Sequence, residues 1–203
     1  MDPDAPALFS SARLLGGARN AADPATQALA GVLEAIQCGR IDPPGAVMGL
    51  AAEDFDDLMR RYFPGIAAGF ARRFIPAVSP AWRRDEFDDL LQLLLDDRVD
   101  DSDMTRWVAH ATASGCMGHD HLYSDMGFSD RYGLTRLLRA HFPALYDKNP
   151  GGMMKWKKFF YRQLCLRAEI SLCPAPGCQH CIDRDTCFIA SAVAEAFPDV
   201  HAD

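Results

Sequence analysis

The chain has 203 residues, 49% of them hydrophobic and 24% charged, a composition that fits one soluble globular domain able to bury a core without disulfides. Its net charge of −7 is uneven: residues 1–104 carry 10 basic against 18 acidic side chains, residues 105–203 carry 11 against 10, and the acidic half argues against nucleic acid as a partner. No uncharged run reaches the roughly 18 residues of a membrane span, and Asp2 and Asp4 stand where a secretory signal would be basic, so no membrane association is expected and the compartment is read as cytoplasmic.

Residues 1–22 are rich in Ala, Gly and Ser without sustained periodicity and read as a flexible lead-in to a single helical domain over 23–203. Asp23-Pro24 resembles an N-cap with a first-turn proline, and Leu29, Val32, Leu33 and Ile36 mark one face of the helix that follows. After a Pro-rich break, Phe55, Leu58, Met59 and Tyr62 repeat the helical pattern until Phe63-Pro64 stops it. Phe87, Leu90, Leu91, Leu94 and Leu95 define a strong amphipathic helix, and residues 103–114 predict another. Leu134, Leu137 and Leu138 before Phe142-Pro143 echo the earlier Phe-Pro ending, as two amphipathic helices stopped by proline would. Strand signals are nearly absent, so the fold class is all-α, an irregular helical bundle. A cysteine-rich metal-cluster loop follows, within a region 165–190, and a closing helix bears Phe188, Ile189, Val193 and Phe197.

Four of seven cysteines fall in one short run, with Cys173, Cys178, Cys181 and Cys187 spaced C-x4-C-x2-C-x5-C. Reduced cytoplasmic thiols at such spacing converge on an inorganic centre with little loop-closure cost. Pro174 and Pro176 restrict the loop, while Gly177 permits a tight wrap. The first three positions match the loop of plant-type ferredoxins, which favours an iron–sulfur cluster; zinc prefers two pairs separated by a longer span. Zinc ligation and an incidental or disulfide set remain the alternatives.

Other residues invite a chemical reading. Cys165 is either a buried inert thiol or a fifth sulfur near the cluster. Cys116, His119 and His121 form C-x2-H-x-H, either a polar loop or a second ligand set. His180 reads as exposed or supporting. Lys155, Lys157, Lys158, Arg162 and Arg167 fill a window without an acid, either a solvated helix face or a basic surface that offsets cluster charge, attracts an anion or docks an acidic partner. In the second case the run serves delivery rather than folding. Trp156 and Phe159-Phe160-Tyr161 read as core, and the Asp54/Asp56/Asp57 and Asp88/Asp89 groups as solvated faces. No phosphate loop, nucleophile elbow or H-E-x-x-H motif is present, so the chain is not read as an enzyme.

The cysteine spacing, the stretch His121-Leu-Tyr-Ser-Asp125-Met-Gly127-Phe, the segment Arg139-Ala-His-Phe142-Pro143-Ala-Leu145 and the run Lys155-Trp156-Lys157-Lys158-Phe159-Phe160-Tyr161-Arg162-Gln163-Leu164-Cys165 together resemble the NifQ family of nitrogen-fixing bacteria. The similarity is continuous from about Ala109 to Phe188; Tyr123 and Phe128 stand where the family often has Trp and Leu. The resemblance implies a non-catalytic molybdenum donor for assembly of the nitrogenase iron–molybdenum cofactor. It would carry an iron–sulfur cluster of three-iron or molybdenum–iron–sulfur type on Cys173, Cys178, Cys181 and Cys187. Implied partners are molybdate and the cofactor-assembly proteins, a scaffold and the nitrogenase iron protein. Chemically, a three-iron cluster leaves one corner vacant, and sulfides bordering that corner can accept another metal. An electron-transfer protein with a complete iron–sulfur cluster and a zinc-stabilised interaction module are the competing readings.

Overall fold

The computed structural model describes residues 10–42, 47–66 and 81–168. Among the described residues the chain is helical and without strands, as the all-α reading expects.

Two helices form the centre. Helix α2 (Pro24–Gln37) begins where the sequence places it, with the Asp23 carboxylate accepting the Thr26 N–H at 3.0 Å and Pro24 in the first turn. Helix α5 (Asp103–Cys116) is capped by Ser102, whose hydroxyl accepts the Thr105 N–H at 3.2 Å. In each, 10 of 14 residues are buried, so both are wrapped by protein on most sides rather than along one stripe. Their richness in Ala, Gly, Ser and Thr lets neighbouring backbones come close.

The other helices are amphipathic and pack around this pair. Helix α1 (Ser11–Gly16), α6 (Leu122–Asp125) and α7 (Arg131–His141) contact α2; α4 (Ala81–Asp96) contacts α5, and α9 (Trp156–Arg167) contacts α4. Helix α3 (Ala52–Tyr62) buries Phe55, Leu58, Met59 and Tyr62 and keeps Asp57 exposed, while Asp54 reaches Arg106 of α5 at 2.8 Å. Asp88 and Asp89 are exposed on α4, as expected, and Phe87, Leu90, Leu93 and Leu94 face inward.

The two Phe-Pro helix ends are alike in detail. Helix α3 ends at Phe63 (φ −125°, ψ 54°) and α7 at Phe142 (φ −134°, ψ 59°), and both phenylalanines are fully buried. In each case the carbonyl just before the Phe accepts a backbone N–H from another segment: Tyr62 from Arg19 at 2.9 Å, His141 from Val99 at 2.8 Å. Proline cannot continue the preceding helix, and the freed carbonyl becomes an anchor for a passing loop. After Phe142, Pro143 opens the short helix α8 (Pro143–Asp147).

Part of the lead-in, read from sequence as flexible over residues 1–22, falls within the described residues. Residues 10–22 carry α1, whose Leu14 is fully buried. Ser11 donates from its amide at 3.1 Å and its hydroxyl at 2.9 Å to the Glu34 carboxylate of α2. A helix of six residues is too short to show periodicity, and one leucine with a distant carboxylate suffices to dock it. Residues 1–9 lie outside the described residues.

One close approach positions the loop between α6 and α7. A Cβ on Gly31 would stand 2.4 Å from the Met126 carbonyl oxygen, and Gly127 (φ +76°) rests its backbone directly on Gly31. Only glycine permits both that φ and that separation. The segment 118–128 is thereby seated on α2.

Candidate functional site

Cys173, Cys178, Cys181 and Cys187 lie outside the described residues, as do His180 and the expected closing helix. The helix leading to them is described, and its anchoring defines what the cysteine run grows from. Trp156 stacks on Tyr146 at 6.2 Å and meets Phe159 edge-on at 5.6 Å, and Phe160 is fully buried. The Tyr161 hydroxyl donates to Glu86 of α4. These aromatic residues are core, as expected. Cys165, near the C-terminal end of α9, is 4% exposed.

Lys157 departs from the expectation of a basic run that serves delivery rather than folding. Its side chain is only 14% exposed, and its ammonium donates to the Asp125 carboxylate at 2.5 Å and to the Gly118 carbonyl at 2.9 Å. Asp125 is 3% exposed and also accepts the Asp120 N–H at 3.1 Å. Two opposite charges taken from water are tolerated here because each has a charged and a neutral hydrogen-bond partner. Gly118 passes so close that a Cβ there would stand 2.5 Å from the Asp125 carboxylate. Lys157 thus pins the start of α9 to the loop between α5 and α6, and is a folding residue. No local pattern could reveal a partner 32 positions away. The one available signal was Asp125 itself, an acid beside the apolar Met126 and Phe128, which calls for a cation.

At the other end of α9, Arg167 meets Asp96 at 2.7 Å and Asp97 at 3.9 Å, both at the end of α4. Lys148 reaches Asp97 at 3.2 Å. The acid-free window in sequence is therefore supplied with acids from other elements.

The C-x2-H-x-H residues do not converge. Cys116 is buried in the core, where desolvation pushes its thiol up to about 12, while His119 is exposed. A thiol enclosed in the core and a histidine at the surface are not presented to one centre. Among the described residues no three His, Cys, Asp or Glu side chains form a metal-ligand group. His121 has a different setting: its ring stacks on Tyr123 at 5.7 Å, and its backbone N–H donates to the Asp120 carboxylate at 2.7 Å. Partial burial, then the positive charges of Lys155 and Arg131, hold its imidazole below the ordinary histidine value, with Asp120 opposing them.

Among the described residues no helix is long and apolar enough to cross a membrane. Comparison with known proteins places these observations in context. Residues 28–189 match the family model for NifQ. The chain is 35% identical to a NifQ protein of Azotobacter vinelandii over 150 residues, covering 70% of this chain and 76% of the relative. It is 34% identical to a NifQ homologue of Sinorhizobium fredii over 170 residues, covering 84% and 72%. A NifQ protein of Rhodobacter capsulatus is 32% identical over 148 residues, covering 73% and 79%. No solved structure matches the chain.

Proposed function

Because the chain belongs to the NifQ family, we propose that it is a carrier, not a catalyst, that donates molybdenum for assembly of the nitrogenase iron–molybdenum cofactor. The observation carrying this reading is the family match over residues 28–189, which spans the whole C-x4-C-x2-C-x5-C run. Cys173, Cys178, Cys181 and Cys187 hold the cargo, an iron–sulfur cluster of three-iron or molybdenum–iron–sulfur type, because four closely spaced thiolates are a soft donor set suited to iron, sulfide and molybdenum. The carrier works in the cytoplasm, receives molybdenum as molybdate and passes it to the cofactor scaffold with the nitrogenase iron protein. The packed bundle supports this role through α9, the helix that precedes the cysteine run and whose Trp156, Phe159 and Phe160 are buried in the core.

The reading is tested by combining metal content with physiology. Protein purified without oxygen is expected to contain iron, sulfide and molybdenum, and Cys→Ala changes at positions 173, 178, 181 and 187 to lower all three. Strains carrying these changes are expected to grow poorly on dinitrogen at low molybdate and to recover as molybdate rises, since mass action then bypasses a carrier. Zinc alone in the protein, or a growth defect indifferent to molybdate, would overturn the reading.

A further inference from the structure

A cavity of about 100 Å³ lies where three elements meet: the start of α6, the first turns of α7 and the start of α9. Its lining includes His121, Arg131, Thr135, Gly152, Lys155 and Trp156. Arg131 and Thr135 are four apart and share one face of α7, while Lys155 and Trp156 open α9. Among the described residues no Asp or Glu lines the cavity. The space holds a few waters or one small polyatomic ion, and is too small for a nucleotide or a peptide side of any length.

The lining chemistry is that of an anion site. Arg131 offers a planar fork of N–H donors, Lys155 a compact ammonium, Thr135 a hydroxyl and His121 a ring N–H. Lys155 and Arg131 both act on the His121 imidazole, so their positive charges converge on one place; the other charged groups acting on it are Asp120, of opposite sign, and Lys157. Asp120 is occupied by the Ser124 hydroxyl at 2.9 Å and the His121 N–H, and Lys157 is committed to Asp125. No side chain caps the start of α9, a 12-residue helix whose first N–H groups add partial positive charge. The walls are fixed rather than loose. Lys157 pins α9 to the loop before α6, His121 stacks on Tyr123, and Gly152 (φ +70°) lies so close to Trp156 that a Cβ would stand 3.3 Å from the indole nitrogen.

We propose that this cavity binds a tetrahedral oxyanion, with Arg131 and Lys155 as its charge partners and Thr135 and His121 as hydrogen-bonding groups. Its identification as molybdate rests on the proposed function; the oxyanion chemistry rests on the cavity alone. None of the lining residues belongs to the cysteine run, and molybdenum held here would be the oxidised anion.

Calorimetric titration of the full-length protein with sodium molybdate, sulfate and phosphate tests this. Arg131→Gln and Lys155→Gln are each expected to weaken molybdate binding about ten- to hundredfold. Arg60→Gln, which removes a cation from an exposed pair on α3, is expected to leave it unchanged. Circular dichroism melting of each variant confirms that folding is intact. Binding that survives in both Arg131→Gln and Lys155→Gln, or its absence for all three anions, overturns the proposal whatever the metal content of the cysteine variants. Sulfate or phosphate binding in preference to molybdate supports the oxyanion cavity while removing its link to molybdenum donation.

Discussion

The two ends of α9 are both tied to the bundle by a cation–carboxylate pair, yet the ties differ in kind. At the N-terminal end Lys157 and Asp125 are 14% and 3% exposed, with a carbonyl and an amide completing their hydrogen bonds. At the C-terminal end Arg167 and Asp96 are 42% and 43% exposed, and water competes with every contact they make. The difference teaches how a basic helix can be read. A buried pair is coupled to folding because either partner left alone is an unsolvated charge, whereas an exposed pair can separate with little loss.

The sharpest test removes one partner of the inner tie. Asp125→Ala leaves the Lys157 ammonium buried without its carboxylate, and is expected to cost about 3–5 kcal/mol in denaturant unfolding. A loss under about 1 kcal/mol would place the inner tie in the same class as the outer one. A second change acts on the same tie by crowding. Gly118→Ala puts a methyl against the Asp125 carboxylate and is expected to cost about 1–3 kcal/mol, measured by the same unfolding curve. Combining it with Asp125→Ala should give less than the sum of the two, because the group being crowded is already gone.

The smallest effect belongs to the outer tie. Arg167→Ala is expected to cost less than about 1 kcal/mol, and less still in high salt. Its pH dependence has a definite sign. Hydrogen bonding from Gln92, then from Arg167, holds the Asp96 carboxyl below the usual carboxylate range, so the contribution is present above that range and is lost as pH falls through the depressed value. Unfolding curves of the Arg167→Ala and unaltered chains should therefore converge in acid.

Much of the fold is legible in the sequence, for reasons that particular residues illustrate. Helix α2 announces itself with Asp23-Pro24 and an apolar face, and α3 and α7 announce their ends with Phe-Pro, because capping and proline chemistry act within a few residues. The aromatic core of α9 is legible from composition. Helix α1 is not, since six residues show no period and its docking depends on Glu34 of another helix. The Lys157–Asp125 pair and the cavity at Arg131, His121 and Lys155 are equally hidden, because tertiary contact between elements far apart in the chain leaves no local pattern. The cysteine spacing is the reverse case. It is the most explicit chemical signal in the sequence, and it belongs to residues beyond those the structure describes.

The paired Phe-Pro endings have a consequence for how the bundle opens. The amides of Arg19 and Val99 sit outside any helix, yet each is held by a carbonyl at the end of one, Tyr62 or His141. Backbone hydrogen exchange at these two loop positions should therefore be slow, and should follow the opening of α3 and α7 rather than local loop motion. Two helix stops thereby become staples: the segments entering α2 and α5 cannot peel away until the helices that hold them have begun to unwind.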